Sequence, residues 1–373
     1  MRYWGITGTN GKTTTTWILA EFLGAAPGRK CGYITTVEAF DGKDSFYTGY
    51  TTPPLARLKD IYAAMETNGC TDCVMEVSSH AIHQNRVGFG ETTTFAGGAF
   101  TNLSEDHLDY HKTMEAYFGV KLDFARRIAA SAPGAPFVVC LDGGYGQEML
   151  AEVSRLDLDA IPVTRDAPRF DLSSLQLVGD YNESNVLVAA SLAEAAGVPH
   201  DAIQRVIPTL KPRWGRLEFV PCKSKGRVYV DFAHTPDGLE KVLRAARGFT
   251  KGRLWVVFGA GGNRDPMKRP LMGNVCACLA DRIVVTSDNP RGEEPMAIIK
   301  DILGGIDGDA GVDVEPDRLK AIEFALRGAM PNDVVLICGK GHETTQEIKG
   351  VKHPFDDREV VRSFQSTVPS DMI

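Results

Sequence analysis

The sequence contains no run of about 18 apolar residues, so no segment has the makings of a membrane-spanning helix. Nor does an apolar leader precede the first strand-like segment, because Met1 is followed at once by Arg2-Tyr3-Trp4. Both absences point to a soluble, cytoplasmic chain without a membrane partner. A surplus of basic charge is missing too: 41 Lys and Arg face 48 Asp and Glu, a formal charge of −7. That balance argues against a nucleic-acid partner while leaving room for a local basic pocket. Paired metal-binding cysteines are absent. Of eight cysteines only Cys70 and Cys73 form a C-x-x-C, and no second pair follows at zinc spacing. Cys73 opens the strand-like Cys-Val-Met-Glu-Val, so these thiols read as small buried hydrophobes in a reducing compartment.

What the chain does have is concentrated at its start. Tyr3-Trp4-Gly5-Ile6 is a short apolar run, followed by Gly8-Thr9-Asn10-Gly11-Lys12-Thr13 and then by a helix-compatible stretch from Trp17 to Leu23. This is the layout of a phosphate-binding loop, whose backbone N–H groups face an anion at a helix N-terminus. Lys12 would neutralise phosphate charge and Thr13 would offer its hydroxyl to Mg²⁺. The full eight-residue pattern wants a glycine where Ile6 stands, so this is a variant with Gly8 as its first glycine. A Gly-rich turn leading into a Thr-rich helix is the competing reading. Four successive hydroxyls, Thr13 to Thr16, are poor helix formers unless some of them serve an anion.

At 373 residues and 43% apolar content the chain can fill two cores, since one core stops growing near about 250–300 residues. Apolar runs at Tyr3–Ile6, Gly32–Thr35, Cys73–Val77, Phe95–Phe100 and Phe137–Leu141 alternate with helical stretches, and an alanine-rich helix is expected from about Glu183 to Ala196. After Pro208 the texture turns short, basic and Pro/Gly-interrupted in Lys211-Pro212-Arg213-Trp214-Gly215-Arg216, which marks a boundary. Alternation then restarts with Val228–Asp231, Leu254–Phe258, Arg282–Thr286 and Val334–Cys338, with helices such as Leu239–Arg247 and Leu319–Arg327 between them. The expected fold class is α/β: a doubly wound, mostly parallel phosphate-loop domain over residues 1–211, followed by a smaller Rossmann-like α/β domain over 212–373. Gly259-Ala260-Gly261-Gly262-Asn263 has the wrong glycine spacing for a dinucleotide fingerprint.

Candidate chemistry falls at strand ends. Glu76 closes the third apolar run, where a carboxylate could share Mg²⁺ with Thr13. Thr101 to His111 holds His107, His111 and several carboxylates in one loop after a strand. A solvated acidic turn explains that stretch taken alone; beside a phosphate loop it reads as a second metal site.

Together these segments carry a resemblance. Gly8–Thr13, Glu76-Val77-Ser78-Ser79-His80-Ala81, Asn102 to His111, Arg216, Asp231-Phe232-Ala233-His234-Thr235-Pro236-Asp237 and Asp288-Asn289-Pro290-Arg291 resemble the Mur ligase family, in order and over nearly the whole chain. The resemblance implies an ADP-forming amide ligase using ATP and Mg²⁺: a substrate carboxylate becomes an acyl phosphate, which an amine then attacks. Such chemistry rests on positioning and charge neutralisation rather than on a nucleophilic side chain. It further implies that Gly8, Asn10, Gly11, Lys12, Thr13 and Thr14 cradle phosphates, that Thr13 and Glu76 hold one Mg²⁺, and that His107 and Lys121 serve a second. Asn185 would meet adenine, Asp231 the ribose and Arg216 the γ-phosphate, the last two reaching the site on domain closure. Read singly, Asn185 is equally a helix-start residue.

Lys121, in Tyr117-Phe118-Gly119-Val120-Lys121, lies near the place where the family carries a carbamylated lysine; an ordinary surface lysine is the alternative, since Val120 replaces the family's usual Ala. The small-molecule partners implied are a peptide acceptor, met by Thr51, Thr52, Ser78, Gln84 and Arg86, and an amino acid, met by Arg264, Asp288, Asn289, Arg291, Gly339 and Glu343. Arg291 is expected to grip the distal carboxylate of meso-diaminopimelate, a group lysine lacks, although a helix-capping turn is the plainer role for its loop. Ser287 and Asn263 stand where the family often shows Asp. The family opens with a uridine-binding domain, whereas this sequence begins at the phosphate-loop strand. The expectation is therefore a monomer, with a partner chain as the other source of that domain, and less than about tenfold dependence on a nucleotide in the acceptor. Peptide ligation outside cell-wall synthesis and a non-catalytic ATP-binding subunit are the competing functions.

Overall fold

The computed structural model describes residues 1–307 and 311–365. It divides into two compact units, Met1–Lys211 and Pro212–Ile373.

The first unit runs β1 (Arg2–Thr7), α1 (Lys12–Gly24), β2 (Cys31–Ile34), β3 (Ala39–Phe40), β4 (Ser45–Phe46), α2 (Leu55–Thr67), β5 (Asp72–Glu76) and α3 (Ser79–His83). It continues through β6 (Phe95–Phe100), α4 (Leu108–His111), α5 (Met114–Ser131), β7 (Ala135–Cys140), α6 (Gly146–Val153), β8 (Leu158–Val163), α7 (Asp180–Ala195) and α8 (His200–Val206). Its sheet has the order β4-β3-β2-β5-β1-β6-β7-β8, parallel except for the short β2-β3-β4 meander. Strand β1 lies in the middle with β5 and β6 on either side, in registers that place Ile6 beside Glu76 and Thr7 beside Phe100. The C-terminal ends of all three strands therefore open on one edge, where ligands bind in doubly wound sheets.

Helix α1 explains why so many threonines occupy a helix. It packs against β5 on one side and α7 on the other, so Thr13 to Thr16 are all buried, as are Trp17 to Ala20. Burial of Thr15 against α7 supplies what helix propensity withholds: its Oγ1 donates to Asn185 Oδ1 at 3.2 Å. Thr16 Oγ1 is buried without a hydrogen-bond partner. Only Thr13 and Thr14 thus remain to serve an anion.

The second unit runs β9 (Glu218–Phe219), β10 (Arg227–Asp231), α9 (Pro236–Phe249), β11 (Leu254–Phe258), α10 (Lys268–Leu279), β12 (Arg282–Val285) and α11 (Pro295–Leu303). After these come β13 (Val312–Val314), α12 (Arg318–Gly328), β14 (Val334–Cys338), a hairpin of β15 (Thr345–Ile348) and β16 (Val351–Pro354), and α13 (Asp357–Ser363). The sheet order is β13-β12-β11-β14-β10-β9, parallel except for the β9 edge. The fully buried runs Leu254–Phe258 and Val334–Cys338 form its two central strands, as expected of strands covered on both faces.

Candidate active site

The phosphate loop owes its shape to two glycines. Gly8 has φ +148° and Gly11 φ +84°, a region that side chains other than glycine's disfavour. A Cβ on Gly8 would lie 1.9 Å from Thr101 Oγ1, and one on Gly11 2.3 Å from Asn185 Oδ1. The loop after β6 braces the phosphate loop: Thr9 N donates to Asn102 O at 2.8 Å, Asn10 N to Asn102 Oδ1 at 3.0 Å, and Thr101 Oγ1 to Asn10 O at 2.7 Å. Lys12 begins α1 and folds back so that Nζ donates to Gly8 O at 2.9 Å and Thr9 O at 2.8 Å. Thr13 and Thr14 occupy the first turn. Asn185 lies within α7, five residues on from the start at Asp180, so it is no helix cap; its amide packs on Gly11 and Thr15. That α7 begins at Asp180 rather than Glu183 reflects Asn182, whose Nδ2 donates back to Val178 O at 2.7 Å.

Beside the loop, β5 delivers Glu76, which is buried. Its Oε1 accepts from Thr36 N at 2.8 Å and its Oε2 from Thr36 Oγ1 at 3.1 Å. Thr36 Oγ1 also lies 3.0 Å from Thr51 Oγ1, while Thr52 Oγ1 donates to Glu76 O at 2.8 Å and accepts from Ser78 N at 3.0 Å. Ser78 caps α3, accepting from Ala81 N at 3.2 Å. Thr51, Thr52, Glu76 and Ser78 are thus one hydrogen-bonded shelf. Gln84 and Arg86 stand further out: Gln84 Nε2 donates to Tyr110 Oη at 3.2 Å, and Arg86 Nε to Gln84 Oε1 at 2.8 Å.

His107 and Lys121 approach the loop from the other side. His107, at φ +57°, precedes α4, with Nε2 3.5 Å from Asp106 Oδ2. Burial lowers its pKa to about 4, so the ring is a neutral, metal-competent base at neutral pH. Lys121 is buried, which excludes the surface-lysine reading. Its Nζ donates to Gly8 O at 2.8 Å and lies 4.8 Å from the centre of the Tyr117 ring. Burial first, and then the nearby Lys12 charge, push its pKa well below the ordinary lysine value.

The residues fit the groups the motifs call for. The glycines let the loop pack closely on Thr101 and Asn185 at the start of α1, and Thr13, Glu76 and His107 supply hard or borderline donors. Among the described residues no cluster of three His, Cys, Asp or Glu side chains is placed to hold a metal. Mg²⁺ sites commonly use a protein carboxylate or two, completed by substrate phosphate oxygens.

In the second unit Asp231 ends β10, buried, and its carboxylate accepts from Leu217 N at 2.6 Å and Ala233 N at 2.7 Å. Burial raises its pKa, against the pull of Arg216 and of those two amides. Arg216 lies over the Phe232 ring at 4.6 Å. The loops after β11, β12 and β14 meet. A Cβ on Gly262 would sit 1.9 Å from Pro290 O, so the glycine cluster after β11 is a close-packing device for the Asp288–Arg291 turn. Arg291 Nη1 donates to Gly262 O at 2.8 Å, and Nε lies 3.5 Å from Glu347 Oε2. Asn289 Nδ2 donates to Glu343 Oε2 at 2.8 Å. Gly339, at φ +116°, would place a Cβ 2.5 Å from Asp288 Oδ2, a buried atom without a hydrogen-bond partner. Arg264 is exposed and donates only weakly, to Asn263 O at 3.4 Å.

Two buried cations tie these loops together and carry no sequence pattern that would announce them. Arg318 forms a bidentate pair with Asp357, at 2.8 and 2.7 Å, and also donates to Ser287 O at 3.2 Å and Cys338 O at 2.9 Å. Lys340 lies among Asn289, Glu343 and Thr345.

A braced phosphate loop at the ends of a parallel sheet, with a carboxylate shelf beside it, defines a phosphate-loop enzyme of the α/β class. Residues 6–172 match the Mur ligase middle domain and residues 215–341 the Mur ligase glutamate ligase domain. The UDP-N-acetylmuramoyl-L-alanyl-D-glutamate–2,6-diaminopimelate ligase of Aquifex aeolicus is 42% identical over 383 residues, spanning 96% of this chain and 76% of its own. A solved structure of a ligase of the same name matches with TM-score 0.61 and 32% identity, over 97% of this chain and 78% of that one. The folylpolyglutamate synthase of Mycobacterium tuberculosis shares the fold, with TM-score 0.66 at 19% identity, over 91% of this chain and 88% of its own. The chain belongs to the Mur ligase family, and with it to the ATP-dependent amide ligases.

Proposed function

We propose that this ligase joins meso-diaminopimelate, through one amine, to the carboxylate of a muramoyl-dipeptide acceptor. The observation that carries the choice of amino acid is the Arg291 turn. Its guanidinium is held by Gly262 O and faces Glu347, beside Asn289 and Glu343, so one loop junction offers a fixed cation next to a carboxylate. A zwitterion with a second carboxylate matches that pairing, and a guanidinium binds a carboxylate in bidentate fashion.

The acceptor carboxylate is phosphorylated by ATP with release of ADP, and the incoming amine then attacks the acyl carbon and expels phosphate. When bound, Mg²⁺ neutralises charge on the phosphates. For the rest, the chain's own residues position and neutralise. Backbone amides of the Gly8–Thr13 loop and the Lys12 ammonium hold the polyphosphate, Thr13 and Glu76 orient oxygen ligands, and Asn185 borders the nucleotide. Thr51, Thr52 and Ser78 fix the acceptor end, with Gln84 and Arg86 as its outer contacts. In the second unit Arg216 and Asp231 are assigned to the nucleotide, and Arg264, Asp288, Asn289, Arg291, Gly339 and Glu343 to the incoming amino acid.

Lys121 belongs to this reading as a carbamate. An unprotonated amine is what adds to CO₂, and burial beside Lys12 favours that form. The resulting anion would suit a hard cation where an ammonium would repel it.

A screen of amino acids against nucleotide-linked and free muramoyl dipeptides, read by amine-dependent phosphate release, tests the assignment. Release with diaminopimelate and a muramoyl dipeptide is expected. Equal turnover of lysine would refute the role of Arg291, and turnover only with unrelated carboxylates would refute the acceptor.

A further inference from the structure

We propose that Lys340 is a positioning residue that sets the charge and orientation of the amino-acid subsite without touching the amino acid; this rests on the ligase reading given above. Its side chain is fully buried. An ammonium has three protons, and Nζ has three acceptors: Asn289 Oδ1 at 3.2 Å, Glu343 Oε2 at 3.0 Å and Thr345 O at 2.6 Å. Every donor is used, so no proton is left for a ligand.

The consequence lies in what those three bonds leave over. Asn289 Oδ1 also accepts from Glu347 N at 2.9 Å, so its oxygen faces Lys340 and its Nδ2 is turned to Glu343 Oε2, at 2.8 Å. Glu343 Oε2 thereby receives both Lys340 and Asn289, which fixes the carboxylate and leaves Oε1 as its outward acceptor. The third bond anchors the first residue of the β15–β16 hairpin, whose Glu347 O accepts from Arg291 N at 3.0 Å. One buried cation therefore ties the Asp288–Arg291 turn, the Gly339–Glu343 turn and the hairpin, which bear the proposed carboxylate and ammonium contacts. Lys340 pairs with the part-exposed Glu343 carboxylate at 3.0 Å from inside the fold, which leaves that carboxylate an oxygen to offer an ammonium group.

The test is steady-state kinetics on the full chain. Lys340→Met removes the three bonds while keeping an unbranched side chain. It is expected to raise KM for the amino acid at least tenfold, with KM for ATP within twofold of the unaltered protein. Glu343→Gln and the Lys340→Met/Glu343→Gln pair close a cycle: if Lys340 acts through Glu343, the double variant is no worse than the worse single one. An unchanged amino-acid KM in Lys340→Met, or fully additive losses, would overturn the proposal. Should Lys340→Met fail to fold, Lys340→Gln, which keeps two donors, is expected to show the same KM split, and equal losses for ATP and amino acid would overturn it. Absence of amine-dependent ADP release in the unaltered protein would instead refute the ligase reading itself.

Discussion

Arg318→Met tests whether the loop ends of the second unit are held by one buried pair. Arg318 and Asp357 both have fully buried side chains, and the bidentate contact between them is completed by the carbonyls of Ser287 and Cys338. Burial alone would lower the arginine pKa, yet the Asp357 carboxylate and the hydrogen bonds to it hold the pKa above the ordinary value. Removing the guanidinium leaves a carboxylate in the core, a change that costs about 3–5 kcal/mol. Two carbonyls lose donors in the same step. In a domain of this size about 1 kcal/mol moves Tm by about 2–4 °C, so a fall of about 6–20 °C in the transition of the second unit is expected by calorimetry. Arg244→Met is the control: the Arg244–Glu240 pair is an exposed helix contact worth about 0.3–0.5 kcal/mol. Arg318→Met/Asp357→Leu should recover most of the loss, because two apolar side chains replace a buried pair at little cost. A shift no larger than the control's, or no recovery in the double variant, would refute the argument.

Three further outcomes follow from the same structure. Arg291→Ala should raise KM for diaminopimelate and leave KM for ATP unchanged; discrimination should fall at the lower end of about 2–5 kcal/mol, because Gly262 O and Glu347 already occupy part of the guanidinium. Lys121→Ala should abolish activity and be partly rescued by a short carboxylate, and protein exposed to ¹³C-labelled CO₂ should show a carbamate signal that the variant lacks; full activity in the variant would refute the role. Asp72 gives a pH test: burial opposes its ionisation, but the hydrogen bonds from Arg29, Trp4 and Thr71 prevail and lower its pKa. A lowered carboxyl pKa adds stability above about pH 4 that is lost as pH falls through the folded value. Asp72→Asn should therefore lose about 3–5 kcal/mol by urea unfolding at neutral pH. That deficit should shrink in acid, and a gap independent of pH would refute the argument.

The parts of the fold that sequence patterns reveal are those whose cause is local. The central strands are continuous apolar runs, and the phosphate loop is a contiguous spacing, so both are legible. The short strands β3, β4, β9 and β13, the hairpin β15–β16 and the half-buried edge strand β8 lack an apolar run and escape notice. The same division holds at the candidate site. Glu76 and the Asp288–Arg291 turn sit at the ends of readable strands, whereas the partners of Arg318 all lie tens of residues away, and Lys340 joins two near neighbours to the distant Asn289. Lys121 shows the limit from the other side: nothing in its helix distinguishes it from a surface lysine until Gly8 O and the Tyr117 ring are seen around it. The threonine run invited one common explanation, and the fold divides it between Thr13 and Thr14, next to the loop, and Thr15 and Thr16, which are wholly enclosed.

The contact between Gly11 and Asn185 also has an evolutionary reading. The two positions lie 174 residues apart in sequence, yet a single carbon added at the first would stand 2.3 Å from the amide oxygen of the second. Shortening Asn185 would make room for that carbon but would leave the φ of +84° that disfavours a side chain at position 11. The dependence is thus one-way. Lineages can vary position 185 while the glycine stays, but no change at 185 frees position 11. Where this pair changes at all, the change should fall at the asparagine with the glycine retained, and the reverse order should not occur.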